Sequence, residues 1–204
     1  MDIDVSLVRD LRQKTGAGIM DCKRALKETG GNIGKAIEFL RQKGLAKAAK
    51  RVGRRADEGL IGSYIHPGGR IGVLVEVNCE TDFVARTREF KDLVKDISMH
   101  VAAADPQYLR RKDIPEEIIR KERDILRIQA QEMGKPEKVV DRIVEGKMES
   151  YFSEVCLLEQ AYVKDLDVTV GDLLNSLVGK IGEQISIRRF TRYQLGEEPE
   201  GNAS

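Results

Sequence analysis

Between Ile71 and Val101 the apolar residues change period, and that change dictates how the chain must turn. Ile71, Val73, Val75 and Val77 alternate with other residues, the signature of a half-buried strand. Phe90, Leu93, Val94, Ile97 and Val101 recur at helical spacing. Between them runs Glu76-Val77-Asn78-Cys79-Glu80-Thr81-Asp82-Phe83-Val84-Ala85-Arg86, where a strand hands over to a helix. Thr81 or Asp82 is placed to accept hydrogen bonds from the first free N–H groups of a helical turn. Phe83 then stands on a tight corner beside a carboxylate. Two roles fit it: a plug of the core on a capped turn, or an aromatic anchor held outward as a binding hot spot.

Upstream of this corner the pattern is helical. Val5, Leu7, Val8 and Leu11 outline a first short helix, broken by Thr15-Gly16-Ala17-Gly18. Ile19, Cys22, Lys23 and Leu26 outline a second, stopped at Gly30-Gly31. Asn32 is the N-cap expected for a third, with Ile33, Ala36, Ile37 and Leu40 on one face and Gly44 at its C-terminal end. Three short helices make a small bundle that resembles the ubiquitin-associated type. The basic, Ala-rich segment Leu45–Arg55 reads as a linker helix or a partner contact, and the domain boundary is expected at Gly53. Leu60–His66 and Ile71–Val77 read as a hairpin around Pro67-Gly68-Gly69-Arg70.

Downstream, a helix is expected from about Thr87 to Ala104. Asp113-Ile114-Pro115-Glu116 resembles a capping box. It opens a helical hairpin over residues 113–155 with a break at Gly134-Lys135-Pro136. Leu157–Leu166 reads as an extended or irregular connector. Thr169-Val170-Gly171-Asp172 caps a last helix, and Gln184–Tyr193 forms the third strand, with Ile185 and Ile187 on one face. The expected architecture is α+β: a helical bundle with its linker over 1–53, a core over 54–195 built on a three-stranded antiparallel sheet, and a flexible tail over 196–204.

Charge and cysteine usage narrow the function classes. The chain carries a net charge of +1, but residues 1–55 hold 14 Lys and Arg against 6 Asp and Glu, and the remainder 21 against 28. A basic end of net +8 suits nucleic acid or an acidic protein face, and without clustered aromatics to stack bases the protein face is the expectation. Cys22, Cys79 and Cys156 are far apart and odd in number, which suits a reducing, cytoplasmic setting. The acidic start Met1-Asp2-Ile3-Asp4 lacks the regions of a signal peptide, and no apolar run is long enough to cross a bilayer. Gly34-Lys35, Gly146-Lys147 and Gly179-Lys180 all lack the rest of a phosphate loop. His66 and His100 have no ligand spacing around them, so no metal and no cofactor are expected. No nucleophile–base pair or carboxylate pair emerges, so no catalytic residue is assigned.

The eleven-residue run closely resembles the core motif of elongation factor Ts, the family of guanine-nucleotide exchange factors for elongation factor Tu. Leu11–Leu26 (Leu-Arg-Gln-Lys-Thr-Gly-Ala-Gly-Ile-Met-Asp-Cys-Lys-Arg-Ala-Leu) matches the family's N-terminal motif in the expected order. The resemblance spans Leu7 to Tyr193. It implies partner binding through Thr81, Asp82, Phe83 and Val84 of the core motif, with Asp82 and Phe83 intruding beside the partner's magnesium site. It further implies Arg12, Met20 and Lys23 in the N-terminal contact, the pair Ile181 and Gly182 before the last strand, and His66 at the hairpin. Longer members carry two core halves in tandem. Only one is present here, so the resemblance is to the short form, a homodimer whose second half comes from another subunit. The function implied is release of GDP from elongation factor Tu without covalent chemistry, in the cytoplasm and without membrane or direct nucleic-acid contact. A ribosome- or RNA-associated binding protein is the alternative.

Overall fold

A computed structural model describes residues 3–134 and 136–197. The fold is α+β. Helices α1 (Val5–Thr15), α2 (Ile19–Glu28) and α3 (Ile33–Ala49) precede strands β1 (Glu58–Ile65) and β2 (Ile71–Cys79). Helices α4 (Asp82–Arg86), α5 (Arg88–Ala104), α6 (Glu116–Glu132) and α7 (Glu137–Val155) follow. Strands β3 (Ala161–Tyr162) and β4 (Asp165–Thr169), helix α8 (Val170–Ile181) and strand β5 (Ile185–Gln194) complete the order. The main sheet is antiparallel with strand order β1-β2-β5, and β3 and β4 form a separate two-stranded piece.

The chain divides into two compact units whose limits cut across the main sheet. The first takes residues up to Leu60, then Val77–Leu93 and Leu173–Ser186. The second takes Ile61–Glu76, Val94–Asp172 and the chain from Ile187 on.

In the first unit, Leu11, Cys22, Ala25, Leu26 and Ala36 form a fully buried centre packed by Leu7, Val8, Ile33, Phe39 and Leu40. Burying Leu11 and Leu26 stabilises the bundle by roughly 1.5–3 kcal/mol each. Asn32 caps α3, its side chain accepting the Lys35 N–H at 3.0 Å. Gly44 does not end that helix, contrary to the sequence reading. It sits inside α3, where a Cβ on Gly179 of α8 would stand 2.8 Å from the Gly44 Cα. Gly179 is there because the α3 backbone approaches too closely for a side chain, whereas a Cβ on Gly44 itself would meet open space. The basic segment is thus not a separate helix: residues 45–49 belong to the end of α3, and residues 50–55 lie beyond it.

In the second unit, α6 and α7 pack as an antiparallel pair. Val140, Val144, Met148, Phe152 and Cys156 repeat every fourth residue along one face and are buried with Leu126, Ala130 and Ile114. The expected capping box is absent. Arg111–Asp113 form one 3-10 turn, and α6 begins after Pro115 with no side-chain cap. Pro115 fixes the extended entry, and Asp113 is used up in the preceding turn. At Thr169 the box does form: the Asp172 N–H donates to Thr169 Oγ1 at 3.0 Å and the Thr169 N–H to Asp172 Oδ2 at 3.3 Å. The presumed connector Leu157–Leu166 holds β3 and the start of β4, too short to show a period. Of the expected tail, Gly196 and Glu197 are described, Glu197 accepting from Arg192; the rest lies outside the described residues, as does Lys135.

His100, on α5, is fully buried. Its Nδ1 accepts the Val163 N–H at 3.3 Å, and its Nε2 donates to Gln160 Oε1 at 2.9 Å. Gln160 Nε2 in turn donates to the carbonyls of Ala104 and Glu154, which sets its orientation. A neutral ring satisfies every partner; a second proton would displace Val163. Burial holds the ring's pKa below the usual value, opposed by the Gln160 bond. The unfolded chain therefore binds more protons near pH 6.5, and stability is full above that pH and falls below it. We expect the unfolding free energy from urea titrations to drop from pH 7 to pH 5 by at most about 1.4 kcal/mol per pH unit. In His100→Gln that slope should be flattened at a lower overall stability.

Candidate functional site: the corner after β2

Strand β2 ends in buried Val77, Asn78 and Cys79, so the chain leaves the sheet with its register fixed. Thr81 is the N-cap of α4, its hydroxyl accepting the Val84 N–H at 3.4 Å. Thr87 ends α4 and restarts the chain as α5: its hydroxyl donates to the Val84 carbonyl at 2.7 Å and accepts the Phe90 N–H at 3.3 Å. Of the five residues between, Val84 and Ala85 turn inward, 3 % and 5 % exposed, and Phe90 in the first turn of α5 fills the interior at 0 %. Phe83 is left 76 % exposed. It does not plug the core, because its neighbours already do. Asp82 is also exposed, its carboxylate paired with Arg86 at 2.7 Å one helical turn on.

The corner is tied to the segment after α8. The Glu183 carboxylate accepts the Thr81 hydroxyl at 2.8 Å and the Thr81 N–H at 3.1 Å. Glu80 accepts the Gln184 N–H at 2.7 Å and pairs with Arg51 at 3.3 Å and Arg54 at 3.6 Å. That N–H holds the Glu80 carboxyl below the usual carboxylate range, helped by Arg54 and Arg51. Cys79 donates its thiol to the Thr81 carbonyl at 3.1 Å. Burial pushes that thiol up to about 11, so it is a neutral donor rather than a nucleophile.

Ile181 ends α8 half-buried, and Gly182 follows at φ +84°, its N–H donating to the Val178 carbonyl at 2.8 Å. The left-handed conformation there is why the position is glycine. A Cβ on Gly16, in the α1–α2 link, would stand 3.0 Å from Lys180 Nζ. The N-terminal motif thus meets the end of α8. Met20 is 69 % exposed on α2, Lys23 is exposed one turn on, and Arg12 is exposed on α1, while Cys22 points into the bundle.

The structure therefore gathers Thr81, Asp82 and Phe83 with Ile181 and Gly182, and puts Arg12, Met20 and Lys23 in the same unit. Val84 faces inward. His66 belongs to the second unit, exposed at the hairpin tip with its Nδ1 3.2 Å from the Tyr64 hydroxyl. Sequence reasoning missed the roles of Glu80, Glu183, Arg51 and Arg54. Glu80 was visible inside the motif, but nothing in the pattern pairs it with a residue 104 positions later. Among the described residues no cluster of His, Cys, Asp or Glu is arranged to hold a metal, and no helix is long and apolar enough to cross a membrane.

Comparison with known proteins agrees with the motifs. The sequence profile of the family described as "Elongation factor TS" matches residues 6–197. Elongation factor Ts of Carboxydothermus hydrogenoformans is 61 % identical over 96 % of this chain and 90 % of the relative. That of Alkaliphilus oremlandii is 60 % identical over 97 % and 91 %, and that of Caldanaerobacter subterraneus 58 % over 96 % and 98 %. The relatives are thus of nearly the same length as this chain. It belongs to the elongation factor Ts family, among the elongation factors of protein biosynthesis.

Proposed function

We propose that this chain binds elongation factor Tu with GDP bound and promotes GDP release. The observation that carries the reading is Phe83, 76 % exposed on a corner whose flanking residues are capped or buried. An apolar ring held out by a fixed backbone loses little entropy on docking, the property of a hot spot. Asp82 beside it brings a negative charge that competes for a magnesium ion or repels phosphate. No bond is made or broken in this process, so no catalytic residue is needed. A factor that bound both nucleotide states of its partner equally would shift nothing, so it must hold a conformation in which nucleotide contacts are spoiled. By linkage, nucleotide weakens the factor's own binding by the same ratio.

Arg12, Met20 and Lys23 form the second contact in this reading. Met20→Glu with Lys23→Glu should raise the Kd for the partner by roughly tenfold to a hundredfold, with the melting temperature little changed because both side chains are exposed. Titration calorimetry checks this, and an unchanged Kd would remove the bundle from the interface. His66 is proposed as a separate contact, either with the partner or with a second subunit. The RNA reading has less to stand on: Lys43 and Lys47 pair with Asp21, and Arg51 and Arg54 with Glu80.

The working unit is proposed to be a homodimer in the cytoplasm. The His66 N–H donates to the Ile71 carbonyl at 2.9 Å, closing the hairpin so that Ile65 lies across from Gly72. On that face Ile61, Ile65 and Leu74 are 69 %, 67 % and 50 % exposed. A GDP-release assay with purified elongation factor Tu tests the function directly. Release no faster than the partner's spontaneous rate would refute it.

A further inference from the structure

The corner after β2 and the segment after α8 hold each other through two carboxylates, one from each side. Glu183 receives both the N–H and the hydroxyl of Thr81; Glu80 receives the N–H of Gln184. Each acid is the chain neighbour of the group the other one grips, so the two bonds form a reciprocal clasp. Bonds to a charged acceptor are about twice as strong as neutral ones. They matter here because the cap bond from Thr81 to the Val84 N–H is long, at 3.4 Å. A cap stretched that far, on a helix of five residues, holds the corner weakly by itself. The Thr81 hydroxyl is oriented only when its proton goes to Glu183, which leaves its lone pairs facing the Val84 N–H. Gly182, in its left-handed conformation, places Glu183 at the required spot directly after α8.

We propose that Glu183 is a positioning residue: acting through Thr81, it fixes where Phe83 stands and makes the Asp82-Phe83 corner and the Ile181-Gly182 turn one binding element. The last step rests on the exchange reading above. The clasp itself does not, and the test keeps the two apart. Amide hydrogen exchange of Thr81 is measured by NMR on the full chain alone, and GDP release is measured with elongation factor Tu. The variants are Glu183→Ala, Glu183→Gln, Phe83→Ala and the Glu183→Ala/Phe83→Ala pair.

Glu183→Ala should speed Thr81 amide exchange about tenfold or more, leaving amides of the bundle core such as Leu26 unchanged. Glu183→Gln keeps one acceptor where the carboxylate offers two, one each for the hydroxyl and the N–H of Thr81, so its Thr81 protection should lie between wild type and Glu183→Ala. GDP release should slow about tenfold in Glu183→Ala, yet by less than about twofold when the same change is made in Phe83→Ala, because there is no ring left to position. Unchanged Thr81 exchange in Glu183→Ala overturns the clasp. Equal slowing in both backgrounds overturns the positioning role, since Glu183 would then touch the partner itself. Wild-type release by Phe83→Ala removes the ring's part in exchange and the positioning role with it, and the Thr81 amide still shows whether the clasp exists; the exchange reading itself falls if the wild-type chain releases GDP no faster than the partner's spontaneous rate.

Discussion

Phe83→Ala is expected to slow GDP release from elongation factor Tu by roughly 30- to 1,000-fold, the range that corresponds to about 2–4 kcal/mol for truncating an aromatic hot spot. The same change should leave folding nearly intact. Phe83 is 76 % exposed, and Val84, Ala85 and Phe90 occupy the interior beside it. Surface substitutions of this kind shift stability by about 0.5 kcal/mol or less. Alanine also suits a helix better than phenylalanine, so α4 has no reason to unwind. Melts followed by circular dichroism, run beside the release assay, separate the two effects. A fall in melting temperature that tracks the loss of release would return Phe83 to a structural role. Phe83→Leu should lie between, since it keeps apolar volume and loses the flat ring.

This result depends on a division of labour that was only partly visible in the sequence. The change of period from Val77 to Phe90 located the corner, because strand and helix periods come from local geometry. It did not say which way Phe83 faces. Val84, Ala85 and Phe83 are all apolar, and a five-residue helix is too short for a stripe to single out one of them. The eleven-residue family match decided that question in the sequence and the exposure pattern decides it in space. Gly44 misled for a related reason: a glycine at the end of an apolar stripe reads as a stop, yet α3 runs on through it, and it is Gly179 of α8, 135 positions away, that must be small against the α3 backbone. Asp113 and Pro115 misled in the opposite sense, offering a cap that the 3-10 turn had already consumed. Thr169 and Asp172, with the same chemistry, form the reciprocal pair because no proline intervenes. Local signals were thus legible where both partners are a few residues apart. The Glu80–Gln184 and Glu183–Thr81 bonds, the buried His100–Gln160 pair and the small β3–β4 hairpin were not.

Sedimentation at micromolar concentration is expected to find a dimer. The sheet has three strands, so β1 and β5 are its edges. Val73, Val75 and Val77 turn one face of β2 inward, and the opposite face carries Leu74. Ile65 shares that face, since its Cδ1 would lie 3.1 Å from a Cβ built on Gly72. Open edges and a bare apolar face favour association, and a self-complementary patch closes at two copies related by a twofold axis. A twofold interface uses each residue twice. Leu74 is 50 % exposed in the single chain, so burying the remaining half of two copies is worth roughly 1.5–3 kcal/mol. Leu74→Glu should therefore weaken the dimer by at least roughly tenfold, with a further cost from two unpaired carboxylates brought together. The variant should still fold, because Leu74 is half exposed in the single chain. Its exchange activity should fall with its association, recovering as protein concentration is raised, whereas a fixed defect would not recover. A wild-type chain that sediments as a monomer and releases GDP at its full rate would refute the dimer.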